Sequence, residues 1–168
     1  MDSEHSAAGP TLGTLADLYE DGYRRYLRVA EAIVGDTEIA HDAVQDAFAR
    51  AIRSRAGFRG TGSLEGWLWR TVVNTAKSAR RDAPPRHLPL DVVGDGPPAR
   101  GADGSQGELG SLVAKLPERQ RLVLFLRYYA DLEYQQIADT LEISPGTVGA
   151  TLNQAHAALR RQLEDVTA

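Results

Sequence analysis

Cysteine is absent from this sequence, so neither a disulfide framework nor a Cys-ligated metal site is possible. The histidines form no metal-binding spacing, and there is no nucleophile elbow and no paired-carboxylate arrangement. The sequence also lacks a run of about 18 apolar residues, and its polar N-terminus lacks a signal-peptide core. These absences predict a soluble, cytoplasmic protein without a cofactor, and they leave an enzyme poorly supported.

Lysine is scarce, and the chain as a whole is mildly acidic, with 19 Lys and Arg residues against 23 Asp and Glu residues. This balance argues at first against a nucleic-acid partner. The charge is unevenly distributed, however, because residues 50–81 carry eight basic side chains against the single acid Glu65, which gives a local charge of +7. Such a concentration is costly through self-repulsion, and its usual benefit is attraction to phosphates. The segment is therefore a candidate nucleic-acid surface.

Apolar residues at helical spacing predict helices on both sides of a segment rich in proline and glycine. Three helices are expected at about 15–34, 38–53 and 64–81, with caps near Asp36 and at Ser63. Residues 1–13 are expected to be disordered and residues 82–107 to form a flexible linker, after which helix resumes near Glu108. The sequence thus predicts an all-α fold with two small helical domains, at 14–81 and 108–168.

The second and third helices have distinct polar and apolar faces. On the second helix, Val44 and Phe48 belong to the face expected to be buried. On the third, Arg70, Asn74, Lys77 and Arg81 recur every three or four residues along the outer face. Phe58 and Trp69 stand among the basic residues, where aromatic rings suit stacking on unpaired bases. Both rings are equally consistent with core positions, which is the expected location of Trp67.

The C-terminal half ends in a short helix, a brief turn and a longer helix. The short helix is expected at about 134–141, and Ser144 and Pro145 are suited to cap and open the longer one. Val148, Leu152 and Leu159 recur at helical spacing on that second helix, so one face is buried and the other is free. This is the helix-turn-helix pattern. Capped amphipathic helices also occur in domains that never touch DNA, so the pattern alone leaves DNA binding open.

Several motifs, taken together and in order, resemble one protein family. The stretches GDTEIAHDAVQDAFARAI and FRGTGSLEGWLWRTVVNTAKSARR are similar to the second conserved region of the extracytoplasmic-function (ECF) subfamily of sigma-70 family bacterial RNA polymerase sigma factors. LPERQRLVLFLRYY, YQQIADTL and SPGTV are similar to the fourth region. The resemblance covers residues 15–81 and 108–163. It implies a transcription initiation factor that binds core RNA polymerase and directs it to promoter DNA.

The resemblance implies three binding surfaces. The polar face of the second helix would bind the coiled-coil clamp of the polymerase large subunit, with contacts from Asp42, Gln45, Asp46, Phe48 and Arg53. The loop 58–62 and the third helix would recognise and melt the minus-ten promoter element, through Phe58, Arg59, Trp69, Arg70, Asn74, Lys77, Arg80 and Arg81. The longer C-terminal helix would read the minus-thirty-five element in the major groove, through Ser144, Gly146, Thr147, Ala150, Thr151 and Gln154.

The family also implies an anti-sigma factor as a partner. Two small domains on a mobile linker suggest that such a partner would clamp the domains together and hide both of their binding surfaces. The acidic linker itself would thread the polymerase near the path of the template strand.

The recognition helix departs from the family pattern. Family members usually carry Lys and Arg there, but residues 134–159 contain neither, and Asp139 and Glu142 are acidic. Because phosphate neutralisation dominates duplex affinity, we expect this domain by itself to bind DNA weakly. A second interpretation therefore stays open, in which the chain is a sigma-like protein-binding regulator with weak or no DNA binding by its C-terminal domain.

Overall fold

The computed structural model describes residues 9–83 and 104–167, and it describes side chains in the second range from residue 109 onward. The N-terminal domain comprises α1 (Leu12–Val34), α2 (Thr37–Ser54), a 3₁₀ turn (Arg55–Gly57) and α3 (Leu64–Asp82). The C-terminal domain comprises α4 (Gly104–Ala114), α5 (Glu118–Tyr128), α6 (Tyr134–Leu141) and α7 (Pro145–Thr167). Within these ranges there is no strand, and the predicted all-α class with two helical domains is confirmed.

Short polar side chains begin three of the helices. Asp36, Ser63 and Ser144 each accept a hydrogen bond from the backbone N–H three residues further along, at 3.0, 3.0 and 3.1 Å. Each bond satisfies one of the N–H groups that the first turn of a helix leaves without a partner. Gly35 ends α1 in the left-handed conformation, with a φ of 74°. These local signals were predicted from the sequence and are confirmed.

Two helix boundaries differ from the sequence-based prediction. Helix α1 starts at Leu12, inside the segment expected to be disordered, because the Thr11 hydroxyl accepts from the N–H of Thr14 at 3.1 Å and caps it. Helix α4 starts at Gly104, inside the segment expected to be a linker. The remainder of those two predictions, at residues 1–8 and 84–103, lies outside the described residues.

The core of the N-terminal domain is built around three aromatic rings, one from each helix. The Tyr26 ring centroid lies 5.2 Å from that of Phe48 and 4.4 Å from that of Trp69. Helix α1 runs through Gly22 without interruption, and a Cβ at this position would lie 2.5 Å from the Tyr26 ring. Glycine costs about 1 kcal/mol in a helix interior relative to alanine. Here it provides the space that the Tyr26 ring occupies.

The C-terminal domain packs α4, α5 and α6 against α7. Ile137 of α6 and Val148 and Leu152 of α7 are buried between these helices. The turn between α6 and α7 passes through Glu142, whose φ of 57° and ψ of 44° place a residue with a side chain in the left-handed region. The backbone N–H of Glu142 donates to the carbonyl of Ala138, which closes α6.

The two domains contact each other directly. Helix α6 packs on α3, and α5 packs on α1. The buried apolar side chains of both domains form one continuous set. At the edge of the contact, Arg25 Nη1 donates to the carbonyl oxygen of Ala130 at 3.4 Å. The two domains are thus in contact within the chain itself, whereas the expectation from the sequence was that a binding partner would clamp them together.

Candidate nucleic-acid interface

The outer face of α3 carries a column of polar side chains. We call the set Arg70, Asn74, Lys77, Arg80 and Arg81 the α3 stripe. Four of its members are exposed, and Lys77 is half-buried. Residues three and four apart lie on the same side of a helix, so Arg70, Asn74, Lys77 and Arg81 are aligned and Arg80 is displaced to one side. The stripe places four cations and one amide along about three helical turns.

The loop before α3 adds an aromatic ring next to this helix. The Phe58 side chain is half-buried, and its ring centroid lies 5.5 Å from that of Trp67. Arg59 is exposed beside it. Gly60 and Gly62 have φ values of 71° and 89°, a conformation in which a side chain would be strained. The predicted loop residues Phe58 and Arg59 therefore lie at the N-terminal end of the helix that carries the stripe.

Trp69 does not belong to this surface. Its side chain is completely buried, with its ring against Tyr26 in the domain core. The prediction that Trp69 stacks on DNA bases is therefore wrong. Helix α3 packs against α1, α2 and α6, so its buried face is wider than a single amphipathic stripe and includes position 69. Trp67 is half-buried and pairs with Phe58 instead.

Carboxylates of the C-terminal domain occupy two positions of the α3 stripe. Arg70 forms an ion pair with Glu142, in the turn between α6 and α7. Arg80 Nη1 lies 2.7 Å from Glu118 Oε2, in the first turn of α5. Among the described residues, no carboxylate pairs with Lys77 or Arg81. Part of the predicted DNA surface is thus already in contact with anionic groups of the same chain.

The C-terminal domain packs mainly on α1 and α3, so the polar face of α2 lies outside these main contacts. Asp42, Gln45 and Arg53 are exposed. Asp46 is half-buried and forms an ion pair with Arg50 at 2.8 Å. A shallow depression between α2 and α3 is lined in part by Asp42, Asp46 and Arg50. The predicted polymerase-binding residues other than Phe48 therefore form one accessible, mixed-charge surface.

Phe48 lies on the opposite side of α2, in the core. Only 5% of its surface is exposed, and its ring meets those of Tyr19 and Tyr26 edge-on, at 4.8 and 5.2 Å between centroids. The prediction that Phe48 contacts polymerase is wrong, whereas the apolar periodicity of α2 had correctly indicated a buried position. Phe48 contributes by holding α2 against α1.

The N-terminal turns of α7 present a neutral surface. Ser144, Gly146, Ala150 and Gln154 are exposed, and Thr147 is half-buried. Thr151 is only 5% exposed, and its hydroxyl donates to the carbonyl of Thr147 at 2.7 Å. The prediction that Thr151 contacts bases is therefore wrong, because its position on the helix turns it toward the domain core. No basic residue replaces it on this part of the helix.

Two exposed tyrosines beside α7 were not predicted as surface groups. Tyr128 is 63% exposed, and its hydroxyl lies 3.0 Å from Nε2 of His156. Tyr134 is 43% exposed, with the Arg127 guanidinium 5.9 Å from its ring centroid. Tyr128 follows the apolar residues of α5, a position for which the sequence alone suggests burial. The hydroxyl group of Tyr128 argued against burial, since a tyrosine at a helix end commonly keeps its polar tip in water.

Neither a metal centre nor a membrane span is evident in the part of the chain that the structure describes. In residues 9–83 and 109–167, no three His, Asp or Glu side chains come together as metal ligands. None of the described helices combines the length and the apolar character that crossing a membrane requires.

Comparison with known proteins identifies the class. The family model for Sigma-70 region 2 matches residues 18–84, and that for Sigma-70 region 4 matches residues 106–159. RNA polymerase sigma-H factor of Pseudomonas aeruginosa is 30% identical over 150 residues, covering 78% of this chain and 76% of the relative. ECF RNA polymerase sigma factor SigW of Bacillus subtilis is 27% identical over 168 residues, covering 90% and 88%.

Two solved structures share the fold. One is described as CnrH in complex with the cytosolic domain of CnrY, with a TM-score of 0.69, 19% identity, and coverage of 92% of this chain and 90% of that one. The other is the sigma factor RpoE in complex with the anti-sigma factor NepR from Bartonella quintana, with a TM-score of 0.68, 17% identity and coverage of 88% and 97%.

The order of a region 2 domain and a region 4 domain defines a sigma factor, and the chain belongs to the sigma-70 family. Within that family it is an ECF sigma factor, as the resemblance of its motifs indicated. It is thus a transcription initiation factor that directs RNA polymerase to promoters.

Proposed function

We propose that this sigma factor binds core RNA polymerase through the exposed face of α2 and holds the melted minus-ten element on the α3 stripe and the loop before it. The observation that carries the proposal is the alignment of three cations and an amide on one side of α3, with Arg80 as a fourth cation beside them. Single-stranded DNA binds through phosphates and through stacking on rings, and Phe58 supplies a ring at one end of the stripe. The α2 surface has a mixed charge, which suits a protein partner better than DNA.

We further propose that the N-terminal end of α7 faces the minus-thirty-five element. Without Lys or Arg, its available interactions are the positive end of the helix dipole near Ser144 and Gly146 and the amide of Gln154. A glutamine amide can pair with adenine in the major groove. These groups give recognition with little phosphate neutralisation, so this contact depends on polymerase to hold the domain at the promoter.

We also infer an anti-sigma factor as a partner, a cytoplasmic location and the absence of catalysis. The solved relative RpoE was captured with an anti-sigma factor, and its fold matches this chain over both domains. The matches to both sigma-70 regions favour a promoter-directing factor over the alternative of a sigma-like protein-binding regulator with weak or no DNA binding by its C-terminal domain.

Run-off transcription with core polymerase, on the DNA upstream of this protein's own gene, tests the proposal. We compare the intact chain with Lys77→Ala/Arg81→Ala, which removes stripe cations that have no carboxylate partner among the described residues. Loss of two phosphate contacts should lower transcript yield by about threefold to thirtyfold. Arg24→Ala/Arg161→Ala is the matched control, because it removes the same charge from exposed positions outside α3. Equal losses in both variants would show that α3 has no special role.

A further inference from the structure

We propose that the C-terminal domain is an intramolecular cover for the α3 stripe, in which the carboxylates of Glu118 and Glu142 occupy the places of promoter phosphates. The cover leaves the α2 surface accessible. This inference rests on the proposed DNA-binding role of α3. Its consequence is an order of events, with polymerase engaged before the promoter.

The two ion pairs span most of the stripe. Arg70 and Arg80 are ten residues apart on α3, which corresponds to about 15 Å along the helix axis. Their partners come from different elements of the C-terminal domain, since Glu142 lies in the turn after α6 and Glu118 in the first turn of α5. A single chance contact would not match two separated cations. The arrangement is complementary in charge at both ends.

Glu142, the ion-pair partner of Arg70, is held in place at a cost in backbone energy. Its left-handed conformation is one that glycine adopts freely and that other residues adopt under strain. Such a conformation persists where the surrounding structure determines it. A glycine would satisfy the turn but would leave Arg70 without its carboxylate.

The cover is docked by more than charge. Gln136 Nε2 donates to Ser63 Oγ, at the N-terminal end of α3, at 3.2 Å. Arg25 Nη1 also donates to the Ala130 carbonyl, and buried apolar side chains are continuous between the domains. The ion pairs themselves are about half exposed, so each contributes modestly. Modest contributions suit a cover that must open.

The cover blocks the DNA-binding surface and leaves the polymerase-binding surface free, because of the helices that it contacts. Helices α5 and α6 pack on α1 and α3, whereas Asp42, Gln45 and Arg53 of α2 remain exposed. A closed chain can therefore meet polymerase through α2 while the α3 stripe is still occupied. Promoter DNA must displace the two carboxylates before it reaches Arg70 and Arg80.

The test uses the full chain with neutralised carboxylates, Glu118→Gln/Glu142→Gln. The matched control is Asp139→Asn/Glu164→Gln, which changes the charge of the same domain equally at exposed residues with no described contact to the N-terminal domain. Because the chain has no cysteine, Thr37→Cys/Val166→Cys provides the only two sites for a fluorescent donor and acceptor. Energy transfer then reports the distance between the domains. Affinities are measured for a mixed-sequence single strand of about 16 nucleotides and for core polymerase.

We expect Glu118→Gln/Glu142→Gln to lower the energy transfer and to tighten single-strand binding by about threefold to tenfold, as expected for the loss of two exposed ion pairs. Polymerase affinity should not change, and the control should match the unmodified sequence. Unchanged transfer together with unchanged DNA affinity would overturn the cover. If polymerase affinity rose together with DNA affinity, the claim that the cover leaves the α2 surface accessible would be overturned.

The DNA-binding role proposed for α3 can be refuted independently of the cover. Adding Lys77→Ala/Arg81→Ala to the opened variant should reverse the gain in single-strand affinity. If the opened variant kept its DNA affinity after this addition, the domain closure would stand, but α3 would not be the DNA-binding surface.

Discussion

Glu142 combines an unfavourable backbone conformation with a favourable ion pair, and two substitutions at this position separate the contributions. The left-handed conformation costs a residue with a side chain roughly 1–2 kcal/mol, a cost that glycine escapes. The exposed pair with Arg70 contributes about 0.2–1 kcal/mol to the free energy of unfolding. Glu142→Ala loses the pair and keeps the strain, whereas Glu142→Gly loses both. The glycine variant should therefore be more stable than the alanine variant by about 1 kcal/mol.

Thermal unfolding of the full chain, followed by circular dichroism, measures this difference. For a chain of this length, 1 kcal/mol corresponds to about 2–4 °C in Tm. Gln154, exposed in the interior of α7, supplies a control of opposite sign. There, glycine should be less stable than alanine by about 1 kcal/mol, because helix propensity alone decides. An alanine variant at Glu142 as stable as the glycine variant, or more so, would refute the assignment of strain.

Three further outcomes follow from the packing. Burial raises the pKa of Tyr26 above its usual 10.0. The contribution of the protonated phenol to stability is therefore full below pH 10 and is lost as the pH rises further. Tyr26→Phe should flatten this alkaline decline in the free energy of unfolding, measured in urea at pH 8 and pH 11. Gly22→Ala should destabilise the chain by about 1–3 kcal/mol in denaturant titration, since its Cβ would overlap the Tyr26 ring, and an unchanged midpoint would contradict that packing. Ser144→Ala should cost about 0.5–2 kcal/mol and speed amide exchange in the first turn of α7, and unaltered exchange would mean that the cap is dispensable.

The local chemistry of the chain was predictable from its sequence. Asp36, Ser63 and Ser144 act as caps because a short polar side chain before a helix has a nearby backbone donor to bind. The alignment of Arg70, Asn74, Lys77 and Arg81 follows from helical geometry alone. The burial of Phe48 also followed from periodicity, and error entered only when the family resemblance made it a polymerase contact.

Features that depend on neighbouring helices were not predictable in this way. Trp69 is buried because α3 is surrounded on several sides, and a helical repeat cannot report how many partners a helix has. The pairs Arg70–Glu142 and Arg80–Glu118 join residues that are distant in the sequence, and no local pattern links them. The absence of Lys and Arg from residues 134–159 had likewise suggested a weak C-terminal DNA surface, without revealing that Glu118 and Glu142 face α3.

The continuous apolar contact between the domains also bears on how long the molecule survives. Whenever the domains separate, side chains that are buried in the closed chain meet water, and the exposed backbone becomes open to proteases. Where closing is fast relative to cleavage, degradation follows the fraction of molecules that are open. The equilibrium that withholds the α3 stripe from DNA therefore also sets the rate of turnover.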